Sequence, residues 1–401
     1  MSRGKDIGIE IDLQVGQLRE VADILFVCLS HSWGGLERVA ATDAIELAAL
    51  GLKVRFLSLE GTPVHGYLAK KKELNVIPLS FRPRNYFDFK LRSELLRLVN
   101  DGVNIIHTHQ TSLLGSITPW FWRKPEVAII ATRHIMNNHN KKNYFHRAIY
   151  SRLDYLVVVS QAIKRNILET HPLNEKVVKV VNLGLDFKHF DSARVKPELQ
   201  RAKWGVDPET TVIGLVGRID PDKGQEVFIK AAAGLLKVDP NRKLKFVLVG
   251  EETLGAESGY LEYLKVLVRQ FRIEDHFVFA GFSNDVPEVM QAFDILVMPS
   301  RQEAFGLVAI EAMAMETAIV ISQGGSADEI VGDQRYGLTV RPEDPFDLQR
   351  QLSNLLERPE ERKEMGIRAR IHVMEHYERR VRLLKMLEIY DRTLKRRLGQ
   401  A

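Results

Sequence analysis

The feature that most constrains the fold is a repeated alternation of short apolar runs with longer segments of helical periodicity. The runs are rich in Val and Ile. Parallel strands that are covered on both faces have this composition, and the helices between them serve as crossovers. Thirteen such runs occur, at residues 24–29, 53–59, 75–79, 104–109, 127–132, 155–160, 177–181, 211–216, 245–249, 277–280, 295–299, 318–322 and 338–340. The pattern predicts an α/β protein with parallel sheets.

The thirteen runs form two sets, because residues 187–208 have no strand periodicity and contain Pro197 and Pro208. A chain of 401 residues is also longer than the chains that usually fold around a single hydrophobic core. The predicted organisation is an N-terminal tail (1–22), a first sheet domain (23–187), a linker (188–208), a second sheet domain (209–375) and a basic C-terminal helix (376–401).

Composition excludes several protein classes. Hydrophobic residues make up 45% and charged residues 27% of the chain, which is ordinary for a globular protein. Cys28 is the single cysteine, so the sequence predicts neither an intrachain disulfide nor a cysteine-based metal cluster. No apolar run approaches the length of a spanning helix, and the charged first twenty residues do not resemble a signal peptide. We therefore predict a cytoplasmic location.

Charge is distributed unevenly along the chain. The formal net charge is +8 over residues 1–190, −8 over 191–376 and +5 over 377–401. A basic first half suits an acidic partner, which could be a phosphate, a lipid headgroup or a nucleic acid.

Ligands of open α/β sheets bind beyond the carboxyl ends of the strands, where helix N-termini present unpaired N–H groups. Gly34 and Gly35 follow the first run and would let the backbone approach a ligand, although a tight turn is the alternative.

The second set opens with a glycine and two cations, Gly217, Arg218 and Lys223, directly after a strand. Two cations and the positive end of the next helix would suit a diphosphate, and the alternative is a pair of solvated surface charges. The glycine patterns of a P-loop and of a dinucleotide fold are absent. Asp220 and Asp222 have the spacing of a metal pair, but the flanking cations disfavour that interpretation.

A third cluster follows the run at 295–299. Glu303 lies in the predicted loop and Glu311 lies two turns into an apolar helix, while Phe305, Gly306 and Leu307 would present N–H groups at the helix start. A buried carboxylate needs hydrogen bonds, which ligand hydroxyls could supply. Solvated glutamates are the alternative.

His107 and His109 alternate along one predicted strand and so share a face. A metal site would need a third ligand that the nearby sequence lacks, so we predict no metal. His109, nearer the strand end, is the better candidate to line a ligand cleft. Neither a Ser-His-Asp order nor a Gly-x-Ser-x-Gly elbow is present, which disfavours a hydrolase.

Together these residues resemble the retaining glycosyltransferases of family 4, over about residues 23–390. The sequence departs from the family's pattern in two places. Residues 183–186 are Leu-Gly-Leu-Asp in place of the usual Asn-Gly-x-Asp, and 22 residues precede the first strand. The matching motifs, in the family's order, are Gly34-Gly35-x-Glu37-Arg38, Ile106-His107-x-His109, Val159-Ser160, Gly217-Arg218-x4-Lys223-Gly224, Gly281 before Val286-Pro287, and Glu303-x7-Glu311.

The resemblance implies the GT-B fold, in which two Rossmann-like parallel-sheet domains face a central cleft and the C-terminal helix crosses back to the first domain. It also implies transfer of a sugar from a nucleotide diphosphate sugar to an acceptor hydroxyl, with retention at the anomeric carbon and without a metal or other cofactor. A UDP-sugar is the expected donor, because UDP is the most frequent nucleotide among such donors.

The resemblance further assigns roles to individual residues. Arg218 and Lys223 would hold the diphosphate, Glu311 the ribose, and Glu303 the donor sugar. His134 would reach the donor sugar from the first domain, and His109 would lie on the acceptor side. The remaining donor contacts would come from the backbone. Gly34 and Gly35 would lie over the phosphates, and Phe305, Gly306 and Leu307 would lie beside the sugar. The segment 278–282, which includes Phe279, would surround the base, and Gly217 would also contact the donor.

The expected acceptor is a glycan or a lipid-linked sugar. Segments 67–72, 82–87, 120–124 and 141–145 pair aromatic residues with cations, which predicts peripheral contact with an anionic membrane on its inner face. The alternative is that the tryptophans belong to the core and that the acceptor is a soluble, phosphorylated or acidic sugar. We expect no nucleic-acid partner, because aromatic and basic residues do not interleave on an exposed strand. Two other functions remain open, a sugar-nucleotide 2-epimerase of the same architecture and a nucleotide-binding regulatory module.

Overall fold

The computed structural model describes residues 2–84, 86–252, 259–397 and 399. The chain divides into two compact units, one comprising Met1–Leu183 with Arg379–Ala401 and the other Gly184–Glu378. Each predicted set of strands occupies one unit. Met1 of the predicted tail and residues 398, 400 and 401 of the predicted C-terminal helix lie outside the described residues.

A parallel sheet forms the centre of the first unit. Its strands are β1 (Asp23–Cys28), β2 (Lys53–Leu59), β3 (Asn75–Leu79), β4 (Ile105–Thr108), β5 (Ala128–Arg133), β6 (Tyr155–Val158) and β7 (Val178–Val180). Their order is β3-β2-β1-β4-β5-β6-β7, and each neighbouring pair is parallel. All six residues of β1 are buried, as expected for a strand covered on both faces.

The second unit has a sheet of the same kind. Its strands are β8 (Thr211–Val216), β9 (Leu244–Val249), β10 (Phe277–Gly281), β11 (Ile295–Met298), β12 (Ala318–Ser322) and β13 (Leu338–Val340). The order is β10-β9-β8-β11-β12-β13, again with parallel neighbours. The predicted α/β class with two parallel sheets is therefore confirmed, and each predicted run coincides with a strand to within two residues.

Helices connect the strands and cover the sheets. They are α1 (Ser2–Leu18), α2 (Gly35–Ala49), α3 (Pro63–Leu68), α4 (Phe89–Asn100), α5 (Leu114–Ile117), α6 (Tyr144–Ser151), α7 (Gln161–Thr170), α8 (Pro197–Lys203), α9 (Gln225–Val238), α10 (Tyr260–Phe271), α11 (Val286–Ala292), α12 (Leu307–Ala314), α13 (Ala327–Val331), α14 (Pro345–Glu357), α15 (Pro359–His376) and α16 (Arg379–Arg397). Local sequence determines where several of these helices begin. The side chains of Asp88, Asn143 and Ser160, for example, accept hydrogen bonds from backbone N–H groups of the first turns of α4, α6 and α7.

The segment that the sequence analysis set apart as a tail folds as helix α1. Ile11, Val15 and Leu18 recur at helical spacing on one face and join the core of the first unit. That core also contains Met386 and Tyr390 of α16, so the two ends of the chain pack together. The apolar spacing in this segment is the signal that the prediction of a tail overlooked.

The C-terminal helix α16 packs against the first unit, as the implied fold requires. Arg382 on α16 forms a buried ion pair with Asp43 on α2 at 2.6 Å. Arg396 and Arg397 both reach the buried carboxylate of Asp154, at 2.5 and 2.7 Å. Charged groups at this depth require partners, and these pairs provide them.

The predicted linker, residues 188–208, is part of the second unit. The Trp204 ring is buried and stacks on Phe293 with the ring centroids 5.3 Å apart. Arg201 pairs with Asp294 at 2.5 Å. These contacts explain why the segment packs on the second unit instead of remaining an open connection. Within the described residues, no helix combines the length and apolarity needed to cross a membrane.

Candidate active site

Most of the predicted donor-site residues lie at the carboxyl edge of the second sheet. The strand order reverses at β8, which lies between β9 and β11, and loops after such neighbouring strands form the usual ligand crevice of an open α/β sheet. Lys223, after β8, and Glu303, after β11, meet here although eighty residues separate them. Lys223 Nζ donates to Glu303 Oε2 at 3.0 Å.

Two glycines allow these loops to approach so closely. Gly224 has a φ of +75°, and a Cβ at this position would overlap the carbonyl oxygen of Pro299 at the end of β11. Gly325, after β12, has a φ of +58°, and a Cβ there would overlap the carbonyl oxygen of Glu303. Only glycine combines positive φ with so little space. The position of Glu303 therefore depends on a residue that follows the next strand along the chain.

Arg218 is half-exposed beside the same loop, and its Nη2 lies 3.0 Å from Asp220 Oδ2. The other carboxylate oxygen of Asp220 accepts the backbone N–H of Asp222 at 3.0 Å. Asp222 in turn pairs with Arg301 at 3.3 Å. Both carboxylates of the possible metal pair are thus engaged by guanidinium groups. No cluster of three or more potential metal-ligating side chains occurs among the residues that the structure describes.

Helix α12 begins beside Glu303. Gly306 caps it with a φ of +82°, and Leu307 is its first residue. The Phe305 ring is buried and packs 6.0 Å from the Tyr377 ring, which anchors the start of the helix. The first N–H groups of a helix have no intrahelical acceptor, so this end can bind an anion or a hydroxyl oxygen. Glu311 lies half-buried further along α12.

The segment predicted to contact a base lies at the other side of β8. Gly217 donates its N–H to Val249 at 3.0 Å and so continues the β8–β9 pairing. Phe279 belongs to the edge strand β10, is half-buried and packs on Phe277 with ring centroids 5.2 Å apart. The chain then turns at Gly281, which has a φ of +67°. The Gly281 carbonyl accepts the N–H of Gly250 at 2.8 Å, and the N–H of Phe282 donates to Glu251 Oε1 at 3.3 Å, so this turn is held against the end of β9.

The first unit contains the other predicted residues. Gly34 is the N-cap of α2, and its N–H donates to Glu37 Oε2 at 2.9 Å, while Gly35 begins the helix. Glu37 of the Gly-Gly-x-Glu motif is thus a capping residue. His134 follows β5, which is separated from β1 by β4 in the sheet.

His109 does not lie where the sequence analysis predicted. Its side chain is only 1% exposed, so it does not present a surface to an acceptor. Its Nδ1 instead lies 3.1 Å from Nε2 of the partly exposed His134, with the two rings stacked 5.2 Å apart. The structure brings these two predicted residues together, and His109 supports His134 from behind.

The protonation of this histidine pair follows from its surroundings. Burial lowers the pKa of His134 to about 3 and that of His109 well below its usual value, so both rings are neutral at pH 7. His109 Nε2 is buried without a hydrogen-bond partner among the described residues. An unpaired buried N–H is rarer than an unpaired acceptor, so we infer that His109 carries its proton on Nδ1 and donates it to His134. His134 then offers its own Nδ1–H as a hydrogen-bond donor.

His107 has a structural role. Its ring is fully buried, with Nδ1 2.7 Å from the Tyr390 hydroxyl and Nε2 2.8 Å from Thr132 Oγ1. Burial, reinforced by the charge of Arg382, lowers its pKa to about 3. Because both ring nitrogens already have partners, His107 is not available as a metal ligand. It connects helix α16 to the sheet beneath His134.

Sequence reasoning missed two groups near the predicted residues. The first is the pair Gly324 and Gly325 after β12, which repeats the Gly34-Gly35 pattern after β1 and could have been found by that repetition. The second is the grouping of Arg133, which precedes His134, with Lys141, a residue that the sequence analysis placed only in the aromatic-basic segment 141–145. No local pattern marks that group, because its members come from separate elements.

Comparisons with known proteins agree with this architecture. Residues 33–189 match the family model described as Glycosyltransferase Family 4, and residues 197–372 match that described as Glycosyl transferases group 1. The chain is 28% identical over 366 residues to D-inositol 3-phosphate glycosyltransferase from Corynebacterium kroppenstedtii, covering 84% of this chain and 81% of that protein. It is 27% identical over 292 residues to mannosylfructose-phosphate synthase from Agrobacterium fabrum, covering 70% and 60% of the two chains.

Solved structures share the fold. A glycosyltransferase from Rickettsia africae superposes with a TM-score of 0.84 at 23% identity, covering 93% of this chain and 99% of that chain. HepE from Anabaena, solved in complex with UDP, superposes with a TM-score of 0.81 at 19% identity, covering 92% and 100%. With both sheet domains matched, the chain belongs to glycosyltransferase family 4 and has the GT-B fold of two Rossmann-like domains.

Proposed function

We propose that the protein transfers a sugar from a nucleotide diphosphate sugar to an acceptor hydroxyl, with retention at the anomeric carbon. The observation that carries this proposal is the contact between Lys223 and Glu303 at the switch point of the second sheet, with Arg218 beside it. A cation for the phosphates and a carboxylate for sugar hydroxyls adjoin at the end of one helix, α12. A nucleotide diphosphate sugar has phosphates and sugar hydroxyls in neighbouring groups, so one donor molecule matches both side chains.

The proposed donor contacts follow from this arrangement. Arg218 and Lys223 bind the diphosphate, and Glu303 accepts hydrogen bonds from sugar hydroxyls while the N–H groups of Phe305, Gly306 and Leu307 donate to the same sugar. Glu311 binds the ribose. Backbone groups at Gly217 and near Phe279 contact the nucleoside.

Two contributions come from the first unit. The backbone at Gly34 and Gly35 approaches the phosphates, and His134 donates a hydrogen bond to the sugar through its Nδ1–H.

The proposed reaction uses the leaving group as the base. The bond between the anomeric carbon and the β-phosphate oxygen breaks while the acceptor oxygen bonds to the same face of that carbon. The acceptor proton passes to a β-phosphate oxygen, so no protein nucleophile is needed. Arg218 and Lys223 stabilise the charge that develops on the diphosphate, which is the task that a divalent metal would otherwise perform. We therefore propose a metal-independent reaction.

UDP is the proposed nucleotide, since the HepE structure of the same fold contains UDP. The test is a thermal-shift screen with UDP, GDP and ADP, because a ligand at about 100 times its Kd adds about 2.7 kcal/mol of stability. NMR of the product then reports the anomeric configuration, with and without a chelator. An inverted product, or activity that is abolished by the chelator and restored by Mg²⁺, would contradict the proposal. Free epimerised sugar without an acceptor would indicate the epimerase, and binding without turnover the regulatory module.

The proposed acceptor is a glycan or a lipid-linked sugar presented at an anionic membrane. Three of the predicted aromatic-basic segments meet in the first unit, where the Phe145 ring lies 5.3 Å from Tyr86 and 6.2 Å from Phe87. Trp120 lies 6.3 Å from Phe87 and carries the guanidinium of Arg92 over its ring. Exposed rings with adjacent cations suit the headgroup region of a bilayer.

The fourth segment lies elsewhere, since Tyr67 packs against Trp33. Cosedimentation with anionic vesicles tests the membrane contact, and a double variant, Phe87→Ser with Phe145→Ser, should remain in the supernatant. Wild-type protein that stays in the supernatant at low and at physiological salt would contradict the membrane contact alone.

A further inference from the structure

The hydroxyl group of Ser326 has an unusual partner for its position in the chain. Ser326 is the N-cap residue of α13, but its side chain makes no capping hydrogen bond to that helix. An N-cap serine usually accepts a hydrogen bond from a backbone N–H two or three residues further along. Ser326 Oγ instead donates to the carbonyl oxygen of Phe305, in the loop after β11, at 2.7 Å. The hydroxyl therefore serves a neighbouring loop and not its own helix.

The backbone of Ser326 holds the same loop at a second point. Its N–H donates to the carbonyl oxygen of Glu303 at 3.2 Å. Gly325 allows this approach, because a Cβ there would overlap the same carbonyl oxygen. Ser326 is only 1% exposed, and a buried carbonyl that loses its donor is costly to leave unpaired. One residue thus fixes two carbonyl groups of the loop that contains Glu303.

The direction of the Phe305 carbonyl determines the direction of the next N–H. The peptide bond between Phe305 and Gly306 is trans, so the Gly306 N–H points away from Ser326. This N–H has no acceptor among the residues that the structure describes. The Glu303 side chain lies close by, since its Cγ is 3.5 Å from the position that a Cβ of Gly306 would occupy. An N–H without an acceptor and a glutamate side chain therefore adjoin at the start of α12.

We propose that Ser326 is a positioning residue for the donor sugar, which acts through the Gly306 N–H. The proposal rests on the proposed transferase function, in which this loop contacts that sugar. A sugar hydroxyl both donates and accepts hydrogen bonds, so one hydroxyl can donate to Glu303 and accept from Gly306. In Ser326→Ala the Phe305 carbonyl loses its donor and the peptide group can turn. The Gly306 N–H turns with it, because the peptide group is planar.

The test compares a ligand that contains a sugar with one that lacks it. Calorimetry measures the Kd of UDP and of UDP-glucose, which is the probe because HepE, of the same fold, was solved with UDP-glucose. Ser326→Ala should bind UDP as the wild type does and UDP-glucose about tenfold more weakly, which corresponds to about 1.4 kcal/mol. A partly unfolded variant would lower the stoichiometry of both titrations and leave both Kd values unchanged.

The matched control is Thr317→Val, immediately before β12. Thr317 is also buried, and its Oγ1 donates to the Met290 carbonyl at 2.6 Å. The control therefore loses a buried hydroxyl–carbonyl hydrogen bond of the same kind. It should lower the unfolding midpoint as Ser326→Ala does and keep both Kd values. If Ser326→Ala weakens UDP and UDP-glucose equally, or weakens neither, Ser326 has no role in positioning the sugar contact.

A measurement on the wild-type protein needs no variant. Hydrogen exchange at residues 304–307 should slow further when UDP-glucose replaces UDP, because the Gly306 N–H then has an acceptor. Equal protection by the two ligands would overturn the inference and leave the transferase proposal intact. A wild-type protein that binds neither ligand would instead count against the proposed function, and the first titration would show it.

Discussion

Cationic side chains follow the carboxyl ends of strands in both sheets, but their partners differ between the two units. In the second unit, Lys223 contacts Glu303 and Arg218 contacts Asp220. In the first unit, Arg133 and Lys141 have no carboxylate partner among the described residues. A carboxylate partner holds a cation in position, whereas burial of a cation without a carboxylate partner disfavours its charged form and lowers the stability of the folded state. The comparison predicts that the two sites respond differently to substitution and to pH.

The largest effect is expected at the cations of the second unit. In the double variant Arg218→Ala with Lys223→Ala, two charge-assisted contacts to the donor are lost, each of about 1.5–3 kcal/mol. We expect kcat/KM to fall about 10²- to 10⁴-fold with little change in the unfolding midpoint. Steady-state kinetics and thermal melting measure the two quantities.

The matched control for this double variant is Lys230→Ala. It removes an exposed ion pair with Glu226 on α9, at 2.6 Å, and should keep full activity. If the double variant transfers sugar at the wild-type rate, neither Arg218 nor Lys223 has the proposed role of binding the diphosphate.

The next effect concerns the ion pair that joins α16 to the first unit. The Arg382 and Asp43 side chains are 4% and 11% exposed, so Arg382→Met leaves a buried carboxylate without its partner. We expect the free energy of unfolding to fall by about 3–5 kcal/mol. Arg392→Ala on the same helix removes an exposed pair with Glu388 and should cost under about 1 kcal/mol. Urea unfolding measures both, and equal losses would show that this burial does not determine the stability of the helix.

Gly325 tests whether the position of Glu303 matters. Gly325→Ala would push a Cβ into the Glu303 carbonyl, and a displacement of about 1 Å can reduce turnover as much as about 100-fold. Gly324→Ala is the matched control, because that residue also has positive φ but open space at its Cβ. The control should lose about 1 kcal/mol of stability through strain and keep its turnover. Equal turnover in the two variants would show that the Glu303 backbone tolerates movement.

The smallest effect is a pH dependence that is stronger in the first unit. Burial lowers the pKa of His107, His134 and His171 there to about 3, whereas in the second unit it lowers the pKa of His372 to about 4. His107 is fully buried with a pKa of about 3, whereas an unfolded histidine has a pKa of about 6.5. Between these values the unfolded state binds more protons, so stability decreases as pH falls below about 6.5. The slope reaches about 1.4 kcal/mol per pH unit for each such histidine.

Hydrogen exchange at pH 7 and pH 5, corrected for the intrinsic rate, should show β4 of the first unit losing more protection than β11 of the second. His107→Gln keeps a side-chain donor and acceptor without the titration and should reduce the difference. The same loss of protection in both strands would contradict the assignment to the first unit.

Most of the architecture could be predicted from the sequence. The strand positions were predicted because burial on both faces requires continuous apolar runs, and this requirement is local. Helix α1 was missed although Ile11, Val15 and Leu18 have helical spacing, and residues 188–208 were described as a linker although Trp204 packs on Phe293. Both errors concern segments whose partners lie far away in the chain.

The candidate site was only partly predictable. Arg218, Lys223 and Glu303 were identified from their positions after strands, but the sequence did not reveal that Lys223 and Glu303 touch. His109 was expected to face an acceptor and instead lies behind His134. Strand alternation indicates which face a side chain occupies, but not whether another residue covers it.

The sequence by itself determined the two parallel sheets, the glycines at their carboxyl edges and the types of charged residue that follow the strands. These features depend on backbone conformation and on local apolar periodicity, which neighbouring residues control. The tertiary structure decided which charges are paired and which are not. The contacts of Lys223 with Glu303 and of Arg382 with Asp43, and the lack of a carboxylate partner for Arg133 and Lys141 in the described residues, depend on distances between remote segments. Electrostatic energy depends on distance and burial, which only the folded chain establishes.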